Sequence, residues 1–556
     1  MVTPLHTLAY VLAHQYKDSV ALMRVAQRLL ALPEVVNATL QLGNPANKEI
    51  LLEAGLLTPE VKDAGPSDIM VVVQARTLAA CEAAVHESKN QLAGQSELAG
   101  AAGGAVPDDV DARTLAMGVA RMASANIAQI SVPGAYAAAE ALKALQLGLN
   151  VFLFSDNVPL EQEVALKQEA DRRGLLVMGP DCGTALIGGV PLGFANNVRR
   201  GAIGLVAASG TGLQEVTTQI HRMGGGVSHA IGTGGRDVRA EVGAVTLLQG
   251  IALLARDAAT QVIVVLCKPP APAVANRVMS ALREAGKPAV VLFLGSALQA
   301  SGRADDPVHG VHTLVDCAAA ALRLAGAAPQ AQGPRRAAAG AQARRPVAAE
   351  AGERTPPHPM PPHPMPPHPM PPYPMPAPPR FAASQKVLRA LFSGGTYATE
   401  AQVLWAQAGL QVWSNVPLDK SLALPDPKRS SRGHTALDLG DDQFTVGRPH
   451  PMIDQATRIE RLLKEAADPE VRVIVLDVVL GWGAHADPAG ELAPVITQAR
   501  RLAHRSGRTL AVIGFVCGTE LDSQGLARQE ATLREAGMVL AGNSANAAWL
   551  AGQWLR

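Results

Sequence analysis

Residues 201–220, GAIGLVAASGTGLQEVTTQI, decide how this chain is read. An apolar run ends in Ala208-Ser209-Gly210-Thr211-Gly212. A helical pattern starts at once, with Leu213, Val216, Ile220 and Met223 on one face. A buried strand followed directly by an amphipathic helix is the unit of a parallel sheet covered by helices. The first turn of such a helix has N–H groups without intrahelical acceptors and about half a positive charge. Small residues there let an anion approach the backbone, and hydroxyls add donors. Ser209, Gly210, Thr211 and Gly212 are therefore a candidate cradle for phosphate or carboxylate. The alternative is that serine and threonine only cap the helix while glycine makes the turn. No lysine follows in the Gly-x-x-x-x-Gly-Lys-Ser/Thr spacing of a P-loop, so an NTP hydrolase is not indicated.

The same pieces recur further on. LVAASGTGLQEV, IGTGGRDV, DAATQVIVVLCKPPAP and GKPAVVLFLGS are matched, in order, by ALFSGGTYATEA, LDLGDDQFTVGRPHPMID, DPEVRVIVLDVVLGWGAHADP and GRTLAVIGFVCGTE. Ser393, Gly394, Gly395 and Thr396 stand where the first cradle stands, ahead of a helical face of Ala401, Leu404, Trp405 and Ala408. Two similar domains with two equivalent loops are expected to pair face to face and build one site between them. Gly234, Gly235 and Arg236 lie in the second matched piece. Arg236 suits bidentate contact with a carboxylate or phosphate, or else an ion pair with Asp237. Arg448 and His450 are their counterparts in the second copy. His485 is a candidate proton donor or acceptor, or a helix-start hydrogen bond. Cys182 and Cys517 fall at strand ends, where sites gather in such sheets, as buried or reactive thiols.

Outside the repeat, valine-, isoleucine- and leucine-rich runs alternate with amphipathic stretches. The expected fold is α/β, with several doubly wound parallel-sheet (Rossmann/flavodoxin-like) domains, two of them an internal repeat, plus a small N-terminal α/β domain. The divisions expected are an N-terminal module at 1–100, a partial Rossmann domain at 110–200, and the two repeats at 201–325 and 382–556. A Pro/Ala-rich linker at 326–381 joins the repeats; its proline-rich half suits polyproline II at roughly 3.1 Å per residue. His358, His363 and His368 recur there, each two residues ahead of a methionine, and read as a slipped linker repeat or a soft metal site; no metal is expected to be needed.

With 48% hydrophobic and 17% charged residues and a net charge of +1, the 556-residue chain fills several cores and has no electrostatic footprint for nucleic acid or membrane. Five dispersed cysteines point to a reducing compartment, and no secretion signal or spanning run is present, so a cytoplasmic protein is expected.

The stretch from SVPGAYAAAEALK to VMGPDCGT resembles the second half of the CoA-binding domain of the succinyl-CoA synthetase α subunit and other ADP-forming acyl-CoA ligases. That resemblance implies a CoA-like pocket at Ser131, Val132, Pro133, Asp181 and Cys182. ASGTG resembles the phosphate loop of those enzymes. VIVLDVVLGWGAHADP resembles their β-subunit ligase domain, with Gly481 and Gly483 at the other half of a phosphate clamp. Within the superfamily the chain is similar to the FdrA family over nearly its whole length, through YKDSVALM, NKEILLEAGL, AIGTGGRDV, LFSGGTYATEA and GRPHPMID. No segment suits an ATP-grasp domain, no Gly-His-Ala-Gly carries a phosphohistidine, and no Gly-x-x-Gly-x-x-Gly loop opens a full CoA domain. His309 and His312 lie nearby without the histidine motif, and His312 reads as the start of a helix or strand. The family resemblance implies a subunit of an oxamate carbamoyltransferase in allantoin breakdown. It would bind an acyl or carbamoyl phosphate and a small carboxylate, act with partner proteins as an oligomer and require no cofactor, although CoA is possible. An acyl-CoA ligase and a CoA-binding, non-catalytic scaffold are the alternatives.

Overall fold

The computed structural model describes residues 5–15, 17, 19–98, 112–296, 306–326, 376–445 and 448–555. Most of the linker, including His358, His363 and His368, lies outside the described residues.

Two doubly wound sheets form the body. In the first repeat the strands Arg200–Ala207, Val227–Gly232, Val262–Cys267, Ala289–Phe293 and Val308–Gly310 run parallel in the order 2-1-3-4-5. In the second, Val387–Phe392, His434–Asp438, Val471–Val479, Ala511–Cys517 and Met538–Leu540 take the same order. The repeat seen in the letters is thus a repeat of topology. In this order the first connection turns one way and the later ones the other, so a crevice opens at the C-terminal ends of strands 1 and 3. Both Ser-Gly loops follow strand 1.

The two sheets differ at the outer edge. The second gains the short strand Val412–Ser414, and the first gains an antiparallel hairpin, Thr184–Ile187 with Val190–Gly193. The hairpin lies before residue 200, so the first repeat's sheet reaches back across the boundary drawn there. Its turn is Gly188-Gly189, both with positive φ, a dipeptide that closes tight hairpins without steric cost.

The repeats share one core. Helix Gly210–Arg222 is buried from Thr211 to His221, wedged between the sheets. Its Leu213, Val216 and Ile220 join Tyr397, Ala401 and Trp405 of helix Gly395–Gln407 in a continuous apolar cluster. The Trp405 indole N–H meets the Ala548 carbonyl at 2.7 Å, so the largest side chain there is buried without an orphaned donor.

Residues 112–178 carry three parallel strands, Ile127–Ile130, Asn150–Leu153 and Val177–Met178. The N-terminal module has an antiparallel sheet in which Ile69–Ala75 runs between His6–Leu12 and Val35–Leu42. The strand His6–Leu12 was not anticipated from its sequence. It is an edge strand with no fully buried residue, so alternation of polarity hardly marks it. Gln27 Nε2 reaches Asp454 Oδ2 at 2.9 Å and ties this module to the second repeat. No helix among the described residues is long and apolar enough to cross a membrane.

Candidate functional site

The two loops after strand 1 meet. Ser209 caps helix Gly210–Arg222, its Oγ accepting the Gly212 N–H at 3.1 Å, and the same Oγ hydrogen-bonds Thr396 Oγ1 in the first turn of the opposing helix. Glycine permits this approach. A Cβ on Gly212 would lie 2.8 Å from Leu266 Cδ2 and 3.0 Å from Thr396 Cγ2, and one on Gly394 would overlap Thr211. Two helix N-termini therefore point at one place, each contributing unpaired N–H groups and about half a positive charge. They open on a cavity of about 1670 Å³ walled by all four units, with Met23 and Ile50 from the N-terminal module and Pro133 from the second unit.

Ser393 plays a different part from the one its position in the repeat implies. Its hydroxyl donates to Asp477 Oδ2 and its N–H to Asp477 Oδ1 at 2.8 Å, and the residue is fully buried. The hydroxyl that faces Ser209 from the second copy is that of Thr396. Ser393→Ala is expected to leave phosphate affinity near that of the wild type while lowering stability by about 1.5–3 kcal/mol, the worth of a hydrogen bond to a charged group. Calorimetric phosphate titration and thermal melting check both halves.

Gly234, Gly235 and Arg236 line the cavity, but Arg236 does not pair with Asp237. Its Nε lies 2.8 Å from Glu163 Oε2 and its NH2 donates to the Val158 carbonyl at 2.7 Å. Asp237 is held by Lys167, 2.7 Å away, which also contacts Glu163 at 3.0 Å and the Thr233 carbonyl at 3.0 Å. His450 is half-buried at the cavity wall, its ring 5.5 Å from that of Phe194. Burial, then the Arg458 charge, push its pKa down to about 4, so it is neutral at physiological pH. The Met452 N–H donates to Nδ1 at 3.2 Å, which leaves the ring proton on Nε2. Arg448 stands at the rim, 2.9 Å from the exposed Glu460.

Other candidates lie elsewhere. Gly481 and Gly483 do not line the cavity. They dock the second repeat on the first, where the Trp482 N–H donates to the Ala195 carbonyl at 2.8 Å and its indole to Asn197 Oδ1 at 3.0 Å. Their small size is needed because Ala195 and Phe194 press against them. His485 is also outside, 3.2 Å from Glu491, which raises its pKa. His309 and His312 are exposed and apart from the cavity. Burial pushes the Cys182 thiol up to about 12 and Cys517 well above its usual range, so neither is a ready thiolate.

Two cavity residues were not singled out from the sequence. Asp438 ends strand 2 of the second repeat and Lys268 follows strand 3 of the first. Each is a charge directly after an apolar run, and that is the signal by which they were legible.

Ser131, Val132, Pro133, Asp181 and Cys182 line the same cavity, next to the start of helix Gly134–Gln146. Asp156 and Asp442 stand close to Asp181. Asp181 is exposed to the cavity, and the loss of bulk water there, then the charges of Asp156 and Asp442, lift its pKa to about 7 against the pull of Arg236. Coenzyme A brings a diphosphate and a further phosphate, whereas this end gathers three carboxylates around one arginine that Glu163 already engages. These residues do not fit that polyanion, and no step is derived through it. Among the described residues no group of three or more His, Cys, Asp or Glu is arranged to hold a metal ion.

Three family models match the chain: "CoA-ligase" over 391–554, "AllF, heavy metal-associated domain" over 6–107 and "CoA binding domain" over 199–295. The last falls on the first repeat rather than on 110–200. The chain is 39% identical over 544 residues to the uncharacterized protein YahF of Escherichia coli, covering 97% of each. It is 28% identical over 121 residues to the ADP-forming sulfoacetate-CoA ligase subunit SauD of Bilophila wadsworthia, covering 20% of this chain and 41% of that one. A solved structure of Ca. Korarchaeum cryptofilum dinucleotide-forming acetyl-coenzyme A synthetase 1 with phosphate and ADP aligns over 77% of this chain and 82% of that one, at 14% identity and a TM-score of 0.30.

Proposed function

The chain belongs to the FdrA family of succinyl-CoA synthetase-like proteins, and on that premise we propose that it is a carbamoyl- or acyl-phosphate transferase subunit. The reaction of first choice is oxalurate plus phosphate to oxamate plus carbamoyl phosphate, in allantoin breakdown, with partner proteins completing the enzyme. One observation carries the reading: the two helix N-termini that converge at Ser209 and Thr396. Carbamoyl phosphate is a mixed anhydride, and its transfer needs a phosphate leaving group stabilised by fixed donors. Opposed helix starts supply such donors without reorganisation. Arg236 and the His450 Nε2–H, which line the same cavity from opposite repeats, are further donors for a small carboxylate and a carbonyl oxygen. Holding both substrates in one crevice does the rest, and no covalent nucleophile is required.

The test is oxamate-dependent release of phosphate from carbamoyl phosphate, by the chain alone and with the proteins encoded beside it. Release that requires oxamate supports the reading. No release in any mixture, together with measurable CoA binding, returns the chain to the acyl-CoA ligases, the reading favoured by the CoA-ligase and CoA-binding matches.

A further inference from the structure

The transfer reaction moves a proton as well as a carbonyl group, and the cavity holds a pair of groups placed to handle it. The Asp438 carboxylate and the Lys268 ammonium come from opposite repeats and flank the first residue of helix Gly395–Gln407. A Cβ on Gly395 would lie 2.7 Å from Asp438 Oδ2 and 3.3 Å from Lys268 Nζ. The missing side chain of Gly395 is what keeps both groups next to the helix start. Asp438 is fixed there by the Gly440 N–H, which donates to its Oδ1 at 3.0 Å, and by Asn415, which bonds both its N–H and its carbonyl. Lys268 has no hydrogen-bond or ion-pair partner among the described residues.

Resting on the transferase reading above, we propose that Asp438 is the general acid–base of the cavity and Lys268 the cation that takes up the charge developing on the phosphate. In the transfer direction the amide nitrogen of the acceptor attacks the carbamoyl carbon. A C–N bond forms, the bond from that carbon to the phosphate oxygen breaks, phosphate leaves with the electron pair, and the proton lost by nitrogen passes to Asp438. In phosphorolysis a phosphate oxygen attacks the same carbon, the C–N bond breaks, and Asp438 returns the proton to the departing nitrogen. One carboxyl serves both directions only if its two protonation states are both populated near neutrality.

The surroundings of Asp438 arrange this. Burial is the largest influence and raises its pKa to about 7; Lys268 opposes it, while Asp441 in the same loop and Asp477 at the end of strand 3 add to it. The neutral His450, beside Gly440, and the start of helix Gly395–Gln407 complete the set of groups facing it. With the carboxyl raised, transfer requires the ionised form and falls as pH drops below about 7. Phosphorolysis requires the protonated form and falls as pH rises above about 7.

The experiment measures kcat against pH in both directions for the assembled enzyme, using carbamoyl phosphate with oxamate and inorganic phosphate with oxalurate. Asp438→Asn is expected to lower kcat by about 10²–10⁴ and to abolish the limb near neutrality in both directions. Asp438→Glu is expected to restore the limb at reduced rate, and a wild-type circular dichroism spectrum and thermal melt show that each variant is folded. Lys268→Met is expected to weaken phosphate binding and lower kcat/KM without removing the limb. Turnover by Asp438→Asn with the wild-type profile overturns the assignment and leaves the transferase reading standing. No turnover by the wild type in any mixture overturns both.

Discussion

Replacing Thr396 by valine is expected to lower kcat/KM for the phosphate-dependent reaction by about 10²–10³, the cost of deleting one fixed donor to a developing negative charge. The substitution keeps the branched side chain that packs against Gly212 and removes only the hydroxyl that faces Ser209. It is a cleaner probe than Ser209→Ala. Ser209 also caps its helix, and loss of a cap costs about 0.5–2 kcal/mol by itself. The loss should appear in kcat if the hydroxyl acts in the transition state, and in KM for phosphate if it acts equally in the ground state. A kcat/KM unchanged from the wild type would remove Thr396 from the cradle.

Lys167→Met is expected to have the largest effect on stability. Lys167 is fully buried between Glu163 and Asp237, and Glu163 in turn holds Arg236 over the cavity. Removing the lysine leaves two carboxylates crowded in a low-dielectric interior, a loss of about 3–5 kcal/mol for a buried pair broken on one side. Asp237 cannot relax freely, because it accepts the Leu247 N–H at 2.9 Å in the first turn of helix Val245–Arg256. A lower unfolding midpoint in denaturant, partly recovered in the Glu163→Gln/Lys167→Met double variant, is the result to look for. A midpoint equal to that of the wild type would show the network to be dispensable.

How much of this was legible in the letters depends on range. The strand–turn–helix at Ser209, the duplication and the second loop at Ser393 are local patterns, and the structure has them. Which hydroxyl of the second loop faces the first was not local. Asp477, inside the apolar run VIVLDVVL, captures Ser393 from a neighbouring strand. A carboxylate in a buried strand demands a partner, but sequence does not say which. The resemblance to the β-subunit ligase domain casts Gly481-Trp482-Gly483 as half of a phosphate clamp, yet its glycines serve the close approach of Ala195, nearly three hundred residues away in the chain. Arg236 and Asp237 are adjacent in sequence and point to different partners, because Lys167 and Glu163 arrive from another helix. Asp438 and Lys268 obey the rule that chemistry gathers at strand ends, and only their convergence on Gly395 needed three dimensions.

The meeting of two helix starts also has a mechanical side. Positive ends brought together repel, and here they belong to two halves of one molecule with a shared core. An anion held between them would act as their counter-ion. Phosphate held there, as proposed, would add its binding energy to the cohesion of the halves. On the transferase reading, cohesion of the two repeats would rise with phosphate concentration, which a thermal melt at graded phosphate would record.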